Sequence, residues 1–196
     1  MFSDRWKLLK EMIDECLFTT PDRYLTHSQC IQLFHAFLLQ VKENEGMVYI
    51  VQSEKSGHLS TYFASSLTNS LNVSARELFP IHKDVTLHLA LLLKKTDLVI
   101  TLGHSTDTLG AAAIAKGNDV PLITLSGGLK ENTLKDSGDL NICFDESDQA
   151  LIQTGKFSFF NMIVDAWSYE LEPLFPQKEL FLPQAKPQNL LTGLRI

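Results

Sequence analysis

Cysteine is scarce in this chain. Cys16, Cys30 and Cys143 are its three thiols in 196 residues. They are odd in number, far apart and in no CxxC spacing, which excludes a disulfide framework and a zinc site and points to reduced thiols in the cytoplasm. Positive charge is also thin: 17 Lys and Arg face 23 Asp and Glu, for a net charge of -6. No basic stripe interleaved with aromatics exists to neutralise a nucleic-acid backbone, so nucleic acid is excluded as a partner. No apolar run is long enough to span a bilayer, which excludes a membrane protein. The opening MFSDRWKLLKEMIDE has neither the apolar core of a signal peptide nor the acid-poor composition of a transit peptide. Glycine-rich phosphate fingerprints are missing too. There is no GxGxxG, and Lys55-Ser56 lacks the flanking glycines with which a P-loop wraps a triphosphate, so neither a dinucleotide site nor an ATPase is indicated. No cofactor and no metal site is expected.

What is present is an ordinary globular composition, 44% hydrophobic and 20% charged, in a chain long enough for one sizeable domain. Its most informative stretch is DLVITLGHSTDTLGAAAIAKG, residues 97–117. Asp97 to Leu102 reads as a strand buried on both faces of a parallel sheet. A polar loop, Gly103 to Thr108, leads into an alanine-rich helix from Leu109 to Lys116. Such a loop sits at the carboxyl edge of the sheet, where ligands bind, and it faces the positive end of a helix. An anion, phosphate above all, fits there without a cationic side chain. Asp107 or Thr108 equally suits plain helix capping, and for any single residue both roles stand open.

Taken in order, Asp4 to Phe18 reads as an amphipathic helix with Trp6, Leu9, Ile13 and Cys16 or Leu17 on one face, ended by Pro21. Thr26 to Asn44 is a second helix with Ile31, Phe34, Leu38 and Val41 inward; His27 and His35 on or beside it read as packing or surface residues rather than ligands. A strand at Met47 to Val51, after a Glu45-Gly46 turn, precedes a second polar loop, 52–58, and a helix from Leu59 to about Asn69. A short strand from Ala75 to Phe79, a helix from Val85 to Lys95, strands at Val120 to Leu125 and Leu140 to Phe144, and a tight Ser126-Gly127-Gly128 loop follow. A long helix, Ser147 to Leu171, turns Leu151, Phe159, Ile163 and Trp167 inward, with Gly155 allowing another backbone to come close. The fold class is therefore α/β, a three-layer αβα doubly wound parallel sheet with two N-terminal helices and one long C-terminal helix. Residues 1–172 form a single domain, 1–45 helical and 46–172 the α/β core. The proline-rich 173–196 is an extended or disordered tail.

This order of parts resembles the sugar isomerase (SIS) domain, and within it the phosphoheptose isomerases, over about Met47 to Leu171. The family's first loop, CGNGGS, falls on residues 51–56 and keeps Ser56. Its second, STSGNS or SQSGET, falls on 103–108, where Ser105 and Thr108 match hydroxyl positions, Gly103 has lost one and Thr106 replaces a glycine. The segment SxxxAxHFAxEL, whose histidine binds a metal and whose glutamate is base and ligand, falls on 56–67. There Phe63, Ala64 and Leu67 agree, while Tyr62 stands for the histidine and Ser66 for the glutamate. In the late helix the family's glutamine is kept as Gln153, and Asn161 takes the position of the histidine eight residues on.

The resemblance implies phosphate contacts at Ser56, Ser105 and Thr108 and a candidate substrate contact at Gln153; Ser53, His104 and Thr106, on the same two loops, are further expected phosphate or substrate contacts. It implies a homodimer or homotetramer built on the leading and trailing helices, and a sugar phosphate as ligand. Isomerisation between aldose and ketose needs a titrating base, which serine and asparagine cannot supply. The leading reading is thus a phosphosugar-binding protein without the isomerase chemistry, acting in binding, sensing or structure. The alternative is an active aldose-ketose isomerase with relocated groups, for which His104 and Glu54 are candidates. His104, beside a helix start, also suits donation of a hydrogen bond to phosphate; Lys55 and His58, like Glu54, read otherwise as solvated loop residues. A third reading is a purely structural oligomeric protein with a vestigial pocket.

Overall fold

Each of the five expected apolar runs takes its place in one sheet. The computed structural model describes residues 2–52, 58–78, 85–128 and 132–168, with side chains between 7 and 167. Strand β2 (Val48–Gln52) lies between β3 (Ala75–Leu78) and β4 (Leu98–Leu102), and β5 (Leu122–Gly127) and β6 (Leu140–Phe144) extend the sheet beyond β4, all parallel. Every residue of β2, β4 and β6 is buried, as strands covered by helices on both faces must be.

Those covers form two layers. On one face α1 (Phe2–Asp14), α2 (His27–Glu43), α3 (Leu59–Ser70) and α6 (Gln149–Ser168) bury Leu9, Phe34, Leu38, Phe63, Ile152 and Phe159 against Ile50, Ile100 and Ile142. On the other, α4 (Val85–Leu92), α5 (Thr106–Gly117) and a 3-10 turn (Thr133–Asp136) bury Leu89, Ala111, Ala115 and Leu134 against Val51 and Val99. This is the expected three-layer αβα arrangement. Two glycines make its close contacts possible. A Cβ on Gly46 would stand 2.0 Å from the Thr96 carbonyl oxygen, and one on Gly155 would stand 2.4 Å from Met12 Cε and 3.1 Å from the Phe144 ring. At Gly155 the sequence pattern led us to expect another backbone, whereas the neighbours are the Met12 and Phe144 side chains. Asp97, 3% exposed, ties the strand starts together by accepting hydrogen bonds from Met47 N at 2.8 Å and Lys94 N at 2.7 Å.

The N-terminal segment departs from expectation. The helix that the 3.6-residue spacing runs to Phe18 stops at Asp14, and Leu17–Thr19 forms a sixth strand, β1, antiparallel on the outer edge of β6. Over 17–19 the side chains alternate: Phe18 is 2% exposed and stacks on Phe159 at 5.4 Å, while Leu17 is 45% exposed. Pairing with β6 satisfies that strand's open edge, and this outweighs the helical pattern of the residues before it. Met12, absent from the expected face, is buried where α1 crosses α6. His27 and His35 serve as pins, their Nε2 atoms donating to Ile13 O at 3.0 Å and Ile163 O at 2.7 Å. The three thiols are free and buried. No helix among the described residues is long and apolar enough to cross a membrane. The expected tail, 173–196, lies outside the described residues.

Candidate functional site

The strand order β3-β2-β4-β5-β6 has one reversal. From β2 the chain moves outward to β3, then returns to place β4 on the other side of β2. Loops leaving the carboxyl ends of two such neighbours diverge to opposite faces and open a crevice between them, the usual ligand position in open α/β sheets. Here Gln52 and Leu102 are register partners at the ends of β2 and β4. The two polar loops singled out in the sequence therefore start side by side at one edge.

The second loop is fully described, and it is shorter than expected because α5 begins at Thr106 rather than Leu109. Gly103 has φ 90°, a left-handed conformation that a serine would adopt only under strain; this accounts for glycine where the family pattern has a hydroxyl. Ser105 is the N-cap. Its Oγ accepts from Thr108 N at 3.3 Å, and Thr108 Oγ1 accepts from Ser105 N at 2.8 Å, a reciprocal capping box. Both hydroxyls are thus committed to the helix start, the capping role realised, with Thr108 fully buried. Leu109 N bonds Ser105 O. The amides of Thr106 and Asp107 remain as first-turn donors, and with the helix dipole they favour an anion. His104 and Thr106 are exposed beside them.

Of the first loop, Ser53, Glu54, Lys55 and Ser56 lie outside the described residues. Its two ends are fixed: buried Gln52 sends Oε1 across to accept from Ser60 N at 3.0 Å, joining the end of β2 to the first turn of α3. His58, the N-cap of α3, is exposed and makes no side-chain cap bond.

Helix α6 also reaches this edge of the sheet, beside the ends of β5 and β6. A Cβ on Gly127, the last residue of β5, would stand 2.7 Å from Ile152 Cδ1, and Gly155 abuts the ring of Phe144, the last residue of β6. The turn 152–156 therefore lies at the carboxyl edge of the sheet. Gln153, at its start, is half-buried, and its Oε1 is enclosed without a hydrogen-bond partner among the described residues. Lys156, one turn on, is 1% exposed, and burial pulls its ammonium from the ordinary 10.5 down to about 8. Sequence reasoning passed over Lys156. The signal was there in its place on the inward stripe with Ile152, Phe159 and Ile163. Tyr62 and Asn161, which the resemblance sets at two histidine positions, meet across α3 and α6: Tyr62 Oη donates to Asn161 Oδ1 at 2.5 Å, from 99 residues away in the chain. Tyr62 also packs on Phe157 with ring centroids 4.7 Å apart. Ser66 is half-buried on α3. No cluster of three or more His, Cys, Asp or Glu with metal-binding geometry occurs among the described residues.

This architecture, with its crevice at the reversal of strand order, is the fold of phosphoheptose isomerases and other phosphosugar isomerases of the SIS type. The phosphoheptose isomerase GmhA of Neisseria gonorrhoeae superposes with a TM-score of 0.65 at 17% identity, over 85% of this chain and 94% of that one. A phosphoheptose isomerase from Francisella tularensis gives 0.67 at 18%, over 86% and 95%. The NanR protein of Vibrio vulnificus, in complex with ManNAc-6P, gives 0.60 at 14%, over 74% of this chain and 56% of that one. At these identities the likeness is one of fold. No family model and no curated protein matches the chain.

Proposed function

We propose that this chain binds a sugar phosphate in the crevice between the loops after β2 and β4, and that it does so without aldose-ketose isomerase chemistry. The observation that carries this reading is the register of Gln52 with Leu102, which opens both loops from one point beside the start of α5. The phosphate is held by the first-turn amides of Thr106 and Asp107, with His104 and Thr106 at the rim; Ser53 and Ser56 of the other loop are proposed as further phosphate contacts, and Gln153 as a contact to the sugar. Two of the Vibrio protein's features support the choice of ligand: it shares the fold, and it is bound to ManNAc-6P. Loss of the isomerase step follows from chemistry at the matched positions. Ser66 and Asn161 cannot exchange a proton near neutral pH, and Asn161 is already engaged by Tyr62. The protein works in the cytoplasm, where its three thiols stay reduced, as a homodimer or homotetramer through α1 and α6.

A calorimetric titration against a panel of hexose and heptose phosphates tests the reading. Binding at micromolar to millimolar concentration with no conversion of any of them is expected. Turnover abolished by His104→Ala or Glu54→Gln would instead establish an isomerase with relocated groups, and no binding by a folded sample would leave the crevice without a ligand.

A further inference from the structure

Lys156 has no place in the function as derived, and its situation is costly. An ammonium taken out of water needs a counter-charge or hydrogen bonds to offset its lost hydration. The other buried charged side chain among the described residues, Asp97, has two backbone amides. Lys156 has neither a hydrogen bond nor an ion pair among the described residues, at 1% exposure. Cys143 on β6 is the titratable group that bears on its charge, and desolvation is the larger influence. Three positions earlier, on the same side of the helix, Gln153 Oε1 is an enclosed acceptor that also lacks a partner among the described residues. The turn that carries both rests on Gly127 and Phe144, the carboxyl ends of β5 and β6. One helix turn at the carboxyl edge of the sheet, beside the ends of β5 and β6, thus offers an uncompensated cation and an unused acceptor.

We propose that Lys156 is the charge partner of the ligand, forming an ion pair with an anionic oxygen of a sugar phosphate or phosphorylated sugar acid while Gln153 Oε1 accepts from a sugar hydroxyl. This rests on the phosphosugar reading above and assigns a residue to it. A sugar derivative satisfies both groups at once, because it carries hydroxyl donors and an anion in one molecule. Two sources supply the same chemistry, the phosphate itself or a carboxylate at the far end of the sugar. Ligand binding then keeps the lysine protonated, so affinity is greatest below the pH at which the free amine loses its proton.

The test uses the full chain and compares wild type with K156M and K156Q in thermal-shift and calorimetric titrations at pH 7 and pH 9.5. The probes are inorganic phosphate, fructose 6-phosphate and 6-phosphogluconate. Wild type is expected to bind at least one sugar probe, with affinity at least tenfold weaker at pH 9.5. K156M is expected to melt higher than wild type when unliganded, since it removes an uncompensated buried charge, and to lose at least tenfold in affinity together with the pH dependence. Equal losses for all three probes assign the pair to phosphate; a loss confined to 6-phosphogluconate assigns it to the carboxylate. Wild-type binding that K156M and K156Q both retain at full strength overturns the inference and leaves the crevice reading standing. No binding of any probe by wild type overturns both.

Discussion

At Asp97 one carboxylate holds the starts of two strands, and its replacement by alanine leaves two backbone amides buried without acceptors. Asp97→Ala is expected to cost about 2–4 kcal/mol, read as a lowered urea midpoint with unchanged slope. Two ionisable groups set the pH dependence. His35, lowered by burial against the opposing pull of the Ile163 carbonyl, takes up protons in the unfolded chain first. Its contribution is present above about 6.5, the ordinary histidine value, and is lost as the pH falls below it. Lys156 has the same sense of shift at higher pH. The unfolded chain holds its proton up to the ordinary 10.5 and the folded one only to about 8, so stability rises between those values. Urea titrations at pH 5, 7 and 10 should show both trends, and K156M should remove the second alone. Neither residue was legible beforehand as a titrating group. A helical pattern locates His35 and Lys156 on a helix, but only packing reveals that one meets a carbonyl and the other meets nothing.

Elements were easier to read than residues. The apolar runs at 47–51, 97–102, 120–125 and 140–144 came through because a strand buried on both faces has few other uses for so many β-branched side chains. Gly155 was legible as a point of close contact, but the neighbours it admits are the Met12 and Phe144 side chains rather than a backbone. What failed were the boundaries decided by tertiary pairing. Leu17–Thr19 leaves the helix because β6, with which it pairs through Leu17 and Cys143, Phe18 and Ile142, and Thr19 and Asn141, presents an open edge far along the chain, a partner no local window contains. The start of α5 was set too late for a different reason. Its first turn is written in hydroxyls, which serve equally as loop, cap or ligand contact until coordinates show Ser105 and Thr108 bonded to each other's backbone. At this scale Ser105→Ala should cost about 1 kcal/mol through the lost cap, seen in denaturant unfolding. It should also weaken sugar-phosphate binding by misplacing the amides of Thr106 and Asp107, seen by calorimetry. Ser105→Asp retains the cap and should restore stability while repelling the anion, which separates the two effects.

The molecule as a whole owes its candidate site to topology rather than to a motif. One reversal of strand order brings together two loops about fifty residues apart, and the N-terminus of α5 supplies the positive field without a basic side chain. That explains how the fold class and the common edge from which the two loops start were legible in a sequence with no glycine-rich fingerprint, whereas Lys156 and the Tyr62–Asn161 bond were not. The proposed assembly is argued from the helices flanking the sheet: with Leu8 on α1 and Met162 on α6 exposed at 46% and 37%, light scattering is expected to report a dimer or tetramer, and a monomer would remove that part of the proposal. The most direct measurement is a crystal structure of the chain soaked with fructose 6-phosphate at millimolar concentration. The account predicts phosphate against the amides of Thr106 and Asp107, beside the ends of β2 and β4. Clear density for the sugar phosphate away from the ends of β2 and β4, or none in an open crevice, would contradict it.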